Sequence, residues 1–485
     1  MTRSIKNTFA PINRIPPEVL SLIPDYRDVE RDLVTLTHVC CAWREIFISR
    51  ASLWTSLDCI NPDRTGVYVQ RSRGAPLEIC LDVPDDALLM TLPLIGRLKA
   101  LKLLGFSQDV LRLTEHFSSP APLLEKLEID VLGYYPAAVK NTLFDGNLSS
   151  LRELSLQGVF TNLPWQNLSN LTTFDFRRVP SDAVSVTQLL DLFLRAPLLR
   201  EIKLGESLPS SSDAPTERVV SLPHLRLLRI YTKSMHSTLL NHLHIPTGAL
   251  MTLEFWFGGE SSPIPYFLPR SIDNLNNISH ITSINLDFRS GVAMRLKGPS
   301  GGLYMFGTWD DANSARNILD CRILRSLKKF HISTTERLAI AQCDAPVRSK
   351  TENSGAYQTL HLMNNLRTLV LTDCLNHSFI FALNPDRNAS NMVVCPELEE
   401  VVLHIREQRE GSCIDGLLEM AKERASRGAK LSTVVIVCPR EYIPVEKVFD
   451  LRSYVPYVDY RLDDTTPRWD ILPGEADEAS YDGDW

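Results

Sequence analysis

One six-residue pattern constrains this chain more than any other feature: Leu-x-x-Leu-x-Leu, with conservative swaps, recurs from residue 98 almost to the C-terminus. It starts at Leu98, Leu124, Leu151, Leu171, Leu199, Leu225, Leu250, Ile281, Leu327, Leu366, Leu398 and Leu431. The last two apolar positions lie two residues apart, so they point one way from a short strand while the residue between them points the other. A strand with one apolar face cannot bury it alone, so successive units must stack. Helical segments fall between the strands. Val186 to Leu194 follows Ser185, which can cap it, and precedes Pro197, which stops it. Cys413 to Arg427 is framed by Ser412 and Gly428 in the same way. The expected fold class is α/β, a curved solenoid of short parallel strands with return helices over residues 98–440, behind a three-helix N-terminal module.

The spacing of 20 to 28 residues through the first half resembles the leucine-rich repeat family, whose unit is about 20 to 29 residues. The array is irregular. Regular repeats favour Asn or Cys three positions after the last apolar strand residue, where the first five units carry Phe106, Leu132, Val159, Val179 and Ser207; Cys374 fits later. A gap of 46 residues separates Ile284 from Phe330. It holds an expected hairpin, Met294 to Leu296 and Leu303 to Met305, turned by Gly298-Pro299-Ser300-Gly301-Gly302.

A concave sheet would present the outward strand residues. Lys102, Glu128, Asp130 and Gln157 are among them, and the candidate target-binding set is Asp175, Arg177, Lys203, Arg229, Tyr231, Glu254, Trp256 and Asp287. Mixed charge with aromatics and Arg suits protein recognition. Towards the C-terminus the outward positions become Val370, Val402, Val435 and Val437, and a sheet apolar on both faces is normally covered on both sides. Residues 441–462, with Tyr442 to Tyr460 at their heart, are therefore expected to cap the array. From Asp463 to Trp485 eight acidic residues stand against Arg468 alone, which predicts a disordered acidic tail.

Ahead of the array, after a polar tail at residues 1–11, the stretch from Ile12 to Leu57 reads as short helices. Pro17 suits a first helical position, Val19, Leu20 and Ile23 follow at helical spacing, and Pro24 ends the run. Asp28 can cap a second helix with a stripe of Leu33, Leu36, Val39 and Cys40, and Trp43, Ile46 and Phe47 mark a third. About 45 residues with this much apolar surface rarely bury it internally, so a partner is expected. Residues 59–97 are read as a linker with a first strand at Leu77 to Val83.

Three blocks in that stretch carry a resemblance: Ile15-Pro16-Pro17-Glu18-Val19-Leu20, then Val39-Cys40-Cys41-Ala42-Trp43, then Ser52-Leu53-Trp54. They are similar to the F-box pattern L-P-x-E-[IVL]-L, V-C-x-x-W and S-L-W, in order and near the expected separations, which assigns residues 12–58. The continuation from Leu57 to Leu77 resembles the large F-box family of mushroom-forming fungi. The chain departs from that pattern in Ile15 for Leu and in Pro24 within the first helix. The resemblance implies docking on a Skp-type adaptor, and through it a cullin and a RING subunit. The implied adaptor contacts are Ile15, Pro16, Val19, Leu20, Ile23, Val39, Cys40, Trp43 and Trp54. It further implies that an unknown protein target is presented by the array for ubiquitin transfer, the alternative being a scaffold outside proteolysis.

Composition is consistent with these expectations. A net charge of −7 and 44% apolar residues show no basic stripe for nucleic acid, and no apolar run is long enough to span a membrane. Ten cysteines without a C-x-x-C suggest a reduced, cytoplasmic or nuclear chain. The glycine-rich loop at Lys297 to Gly302 lacks the order of a phosphate-binding loop, and His242 and His244 have no Cys or carboxylate at metal-site spacing. Neither a cofactor, a metal nor a catalytic constellation is expected.

Overall fold

The computed structural model describes residues 11–20, 29–57, 62–82, 92–133, 135–140, 142–161, 167–179, 184–205, 217–232, 239–257, 271–288, 292–309, 324, 326–341, 355–373, 378–388, 391–405, 411–438 and 445–462. The chain divides into two compact units, residues 1–279 with 300–310 and residues 280–299 with 311–485.

The first unit opens with a 3-10 turn, Pro11–Arg14, and then α1 (Pro17–Leu20), α2 (Val29–Thr37) and α3 (Cys41–Ser49). Ile23, Pro24 and Asp28 lie outside the described residues. The predicted stripe Leu33, Leu36, Val39 and Cys40 would carry α2 further than it runs. Its end is local: the Thr37 hydroxyl donates back to the Val34 carbonyl (2.6 Å), and Arg44 Nε takes the Thr37 carbonyl (2.9 Å). The Val39 amide closes a turn on Leu36, and Cys40 is extended at φ −159°. Leu33 and Thr37, one helical turn apart, therefore face inward.

A 3-10 turn at Ala51–Trp54 leads into β1 (Ser56–Leu57), α4 (Pro62–Arg71), β2 (Leu77–Asp82), β3 (Leu98–Phe106) and α5 (Ser107–Thr114). Next come β4 (Lys126–Leu132), β5 (Ala137–Val139), β6 (Glu153–Gln157), β7 (Val159–Thr161), β8 (Thr173–Arg177) and α6 (Val186–Arg195). They are followed by β9 (Glu201–Gly205), β10 (Val220–Ser221), β11 (Leu227–Thr232), β12 (Leu243–His244) and β13 (Leu250–Phe257). β14 (Ser283–Asp287) and β15 (Val292–Lys297) belong to the second unit, and β16 (Gly302–Trp309) to the first.

The sheet of the first unit runs β1-β2-β3-β4-β6-β8-β9-β11-β13-β16, parallel throughout. β5 with β7, and β10 with β12, form small parallel ribbons. Two rows build the core. Leu101, Leu127, Leu154, Phe174, Ile202 and Leu228 stack in register, as do Leu103, Ile129, Leu156, Phe176, Leu204 and Ile230, and all are buried. Leu98 and Leu250 open β3 and β13, but in the units between them the first Leu of the pattern precedes the strand. The amides of Leu124, Leu151, Leu171, Leu199 and Leu225 each donate to the carbonyl three residues earlier, closing a turn that launches the strand. The next amide reaches the preceding unit, as Arg152 does to Glu125 (2.7 Å) and Arg200 to Thr172 (2.8 Å). Ser185 caps helix α6 as expected, and Gln188 completes a capping box: the Ser185 hydroxyl accepts from the Gln188 amide and Gln188 Oε1 from the Ser185 amide. Its Phe193 meets the Phe174 ring edge-on at 6.3 Å.

The second unit adds β17 (Arg337–Ala341), α7 (Gly355–His361), β18 (Thr368–Thr372), α8 (Ser378–Leu383), β19 (Glu400–His404), α9 (Gly411–Ser426), β20 (Thr433–Cys438), α10 (Val445–Arg452) and β21 (Tyr457–Leu462). β15 lies antiparallel on β14, and β14-β17-β18-β19-β20-β21 continue in parallel. Both strands predicted around Gly298 to Gly302 exist; β15 pairs with β14, and β16 lies parallel beside β13.

Two expectations need correction here. The pattern at Leu327 forms 3-10 turns, Leu327–Lys329 and Ile332–Thr334, and the strand comes later as β17. Thr335 takes the first pattern position: fully buried, it donates its amide to Ile332 (3.1 Å) and its hydroxyl to Ile281 (3.3 Å). Leu338 and Ile340 then fall in register with Ile284 and Leu286. The segment expected to fold over the array as a cap instead supplies α10 and β21, and β21 lengthens the sheet by one strand, Val458 opposite Val434. Val455-Pro456-Tyr457-Val458-Asp459-Tyr460 is the same pattern with Val and Tyr for Leu.

Candidate functional site

The N-terminal stretch has an inside and an outside, and its apolar residues are divided between them. Leu20, Leu33, Trp43, Phe47 and Trp54 are buried. Ile12, Val19, Val34 and Val39 are exposed at 44%, 50%, 37% and 53%, Pro16 is exposed, and Ile15 and Cys40 are half-buried. Four large apolar residues of this module thus reach solvent. Of the residues expected to dock, Pro16, Val19 and Val39 are thus accessible, whereas Leu20, Trp43 and Trp54 hold the module together. Ile12 and Val34 were not anticipated. Val34 could have been found as an apolar residue lying off the buried Leu33 and Thr37 side of α2.

Trp54 is the joint between this module and the sheet. Its indole Nε1 donates to the Phe47 carbonyl (2.8 Å), and Phe47 stands edge-on to Trp43 at 5.7 Å. On its other side Tyr68 of α4 meets the indole at 4.9 Å, and the Arg71 guanidinium lies 4.3 Å above the ring. Directly afterwards Ser56 and Leu57 pair with Glu78 and Ile79 of β2. Arg97 fastens the end of α4, donating to the Ser72 hydroxyl (2.9 Å) and the Ala75 carbonyl (2.7 Å). The module is therefore wired into the first strand of the sheet.

The outward face of the first sheet carries charges that neutralise one another. Arg177 donates from Nε and Nη2 to the two oxygens of Asp175 (2.7 and 2.6 Å), which is buried. Lys203 follows Asp175 in register, then Arg229, whose Nε bonds Glu254 Oε1 at 2.8 Å. Gly205 lets Arg177 lie flat across its neighbour, since a Cβ there would stand 2.8 Å from Arg177 Cγ. Lys102 pairs with Glu128 at 2.8 Å, a hydrogen bond that raises the lysine's pKa, and Arg178 pairs with Asp130. Tyr231 stands half-exposed opposite Glu254. The Trp256 side chain lies outside the described residues, and Asp287 sits on β14 of the second unit.

The two histidines have ordinary partners. His242 Nδ1 lies 2.8 Å from the Arg218 carbonyl, and His244 sits between the Ser221 hydroxyl and the Asn276 amide. Gly301 answers to close packing, because a Cβ would fall 2.3 Å from the Thr247 carbonyl oxygen. Among the described residues no group of three His, Cys, Asp or Glu side chains could hold a metal ion, and no helix is long and apolar enough to cross a membrane.

Compared with known proteins, residues 12–60 match the family model described as F-box-like. No curated protein matches the chain.

Proposed function

We propose, from the F-box-like domain at residues 12–60, that this chain is the substrate-recognition subunit of a Skp-cullin-F-box ubiquitin ligase. Such a domain implies binding of a Skp-type adaptor, and proteins that carry it are typically adaptors without catalysis of their own. The observation that carries the reading is the exposed apolar set Ile12, Val19, Val34 and Val39 on that domain. Those residues, with Pro16, Ile15 and Cys40, form the adaptor-facing surface; Trp43 and Trp54 position it from within. Cullin and RING subunit are reached through the adaptor, in the cytoplasm or nucleus.

The repeating turn-and-strand units serve as an irregular leucine-rich-repeat array that holds a protein target. Supporting this are the outward Asp175, Arg177, Lys203, Arg229, Tyr231 and Glu254, a mixed polar and aromatic surface of the kind proteins recognise. The chain contributes proximity, raising the effective concentration of a target lysine beside a ubiquitin thioester formed on another protein. Purification of the tagged full-length chain tests the assignment. Recovery of both a Skp-type adaptor and a cullin is expected; adaptor without cullin would convert the reading to a non-proteolytic scaffold, and neither would overturn it.

A further inference from the structure

The last strand of the second unit leaves an edge, and that edge is complementary to itself. Among the described residues β21 pairs with β20 alone. The Tyr457 amide donates to the Ser432 carbonyl (3.1 Å). Alternation along the pleat then turns the amides and carbonyls of Tyr457, Asp459 and Arg461 towards β20, and those of Val458, Tyr460 and Leu462 towards the open edge. Asp459 and Arg461 share a face and hold each other, Nε to Oδ2, at 2.7 Å. Phe449, Tyr457 and Leu462 are exposed by more than half on the last helix and strand. An edge with which no described residue pairs is a template for another strand.

A second copy of β21 running antiparallel can meet this edge in few registers, because the two-fold axis must set one residue opposite its own copy. Centred on Asp459, it sets that carboxylate against itself; centred on Arg461, it does the same to the guanidinium. Centred on Val458, it brings in Pro456, which has no amide to give, and centred on Leu462 it overlaps only the strand's end. Centred on Tyr460, it uses the edge-facing amides and carbonyls of Val458, Tyr460 and Leu462, and sets each Asp459 directly opposite the partner's Arg461. These two pairs fall at the non-hydrogen-bonded positions, where side chains come closest, with Cα atoms about 4.5 Å apart. Opposite charges facing across strands stabilise a pairing and like charges oppose it, so charge selects one register.

We propose that the chain forms a two-fold symmetric dimer through antiparallel pairing of β21 with β21 of a second copy, in the register centred on Tyr460. The ion pair within each strand exchanges for two between strands. The dimer does not depend on adaptor binding.

Sedimentation velocity of the purified full-length chain over a wide concentration range tests it. Wild type is expected to shift from monomer to dimer as concentration rises. Asp459→Arg should raise the dimer dissociation constant about tenfold or more, since both facing pairs become repulsive. The exchanged variant Asp459→Arg with Arg461→Asp should restore dimerisation by regenerating both pairs, and melting curves matching wild type establish that the variants fold. A wild-type chain that stays monomeric throughout, a dimer indifferent to Asp459→Arg, or an exchange that fails to restore it would overturn the proposal.

Discussion

The strands of the two units are alike on their inner face and differ on their outer one. Their inner rows are interchangeable in kind: Leu154, Phe174 and Ile202 in the first unit, Leu338, Leu369, Val401 and Val434 in the second, all buried. Outward, the first unit shows Lys102, Glu128, Asp130, Arg177, Lys203, Arg229 and Glu254, most of them tied in ion pairs. The second shows Ala339, Ala341, Val370, Val435 and Val437, each buried. Burial dictates the inner rows, so they converge; the outer rows answer to whatever lies against them, and it is there that the units part.

That contrast can be broken by substitution. The inner rows should be equally costly in both units: Leu156→Ala and Ile436→Ala are each expected to lose about 2–5 kcal/mol in chemical denaturation. A large gap between them would deny that the two cores are built alike. Outward, Val435→Asp should cost about 3 kcal/mol, because it puts a carboxylate into a buried apolar row and directly opposite Asp459. Arg177→Ala should cost about 1–2 kcal/mol by leaving the buried Asp175 without its fork. Lys102→Ala, which removes an exposed pair, should cost at most about 1 kcal/mol. Thiol labelling sharpens the contrast with no stability change at all. Burial pushes the Cys395 thiol up to about 12, so it should resist alkylation at pH 8 in the native protein while the exposed Cys41 is modified, as read by mass spectrometry.

Periodicity made most of the strands legible, because a buried face repeats its demand at every unit. β17 and β21 escaped for one reason: Thr335 and Val455 stand where Leu was sought, although a buried Thr with both its amide and hydroxyl bonded meets the same need. The Thr37 hydroxyl that ends α2 acts over one turn and leaves the apolar stripe looking unbroken. Exposure was the hardest to read. Val39 and Trp43 lie close together on a single apolar stretch, yet one is exposed and the other buried, and that division depends on the turn between α2 and α3. The buried Arg424 of α9, whose Nη1 and Nη2 donate to the carbonyls of Val394 and Cys395 (2.7 and 2.9 Å), has no signature in the sequence. An arginine in a helix ordinarily reads as solvated surface.

Calorimetric titration of the full-length chain with a purified Skp-type adaptor tests the docking surface most directly. One-to-one binding is expected, weakened about a hundredfold or more by Val19→Asp with Val39→Asp at an unchanged melting temperature, since both side chains are exposed in the free chain. No heat of binding by the wild type, or full affinity in the double variant, would contradict it.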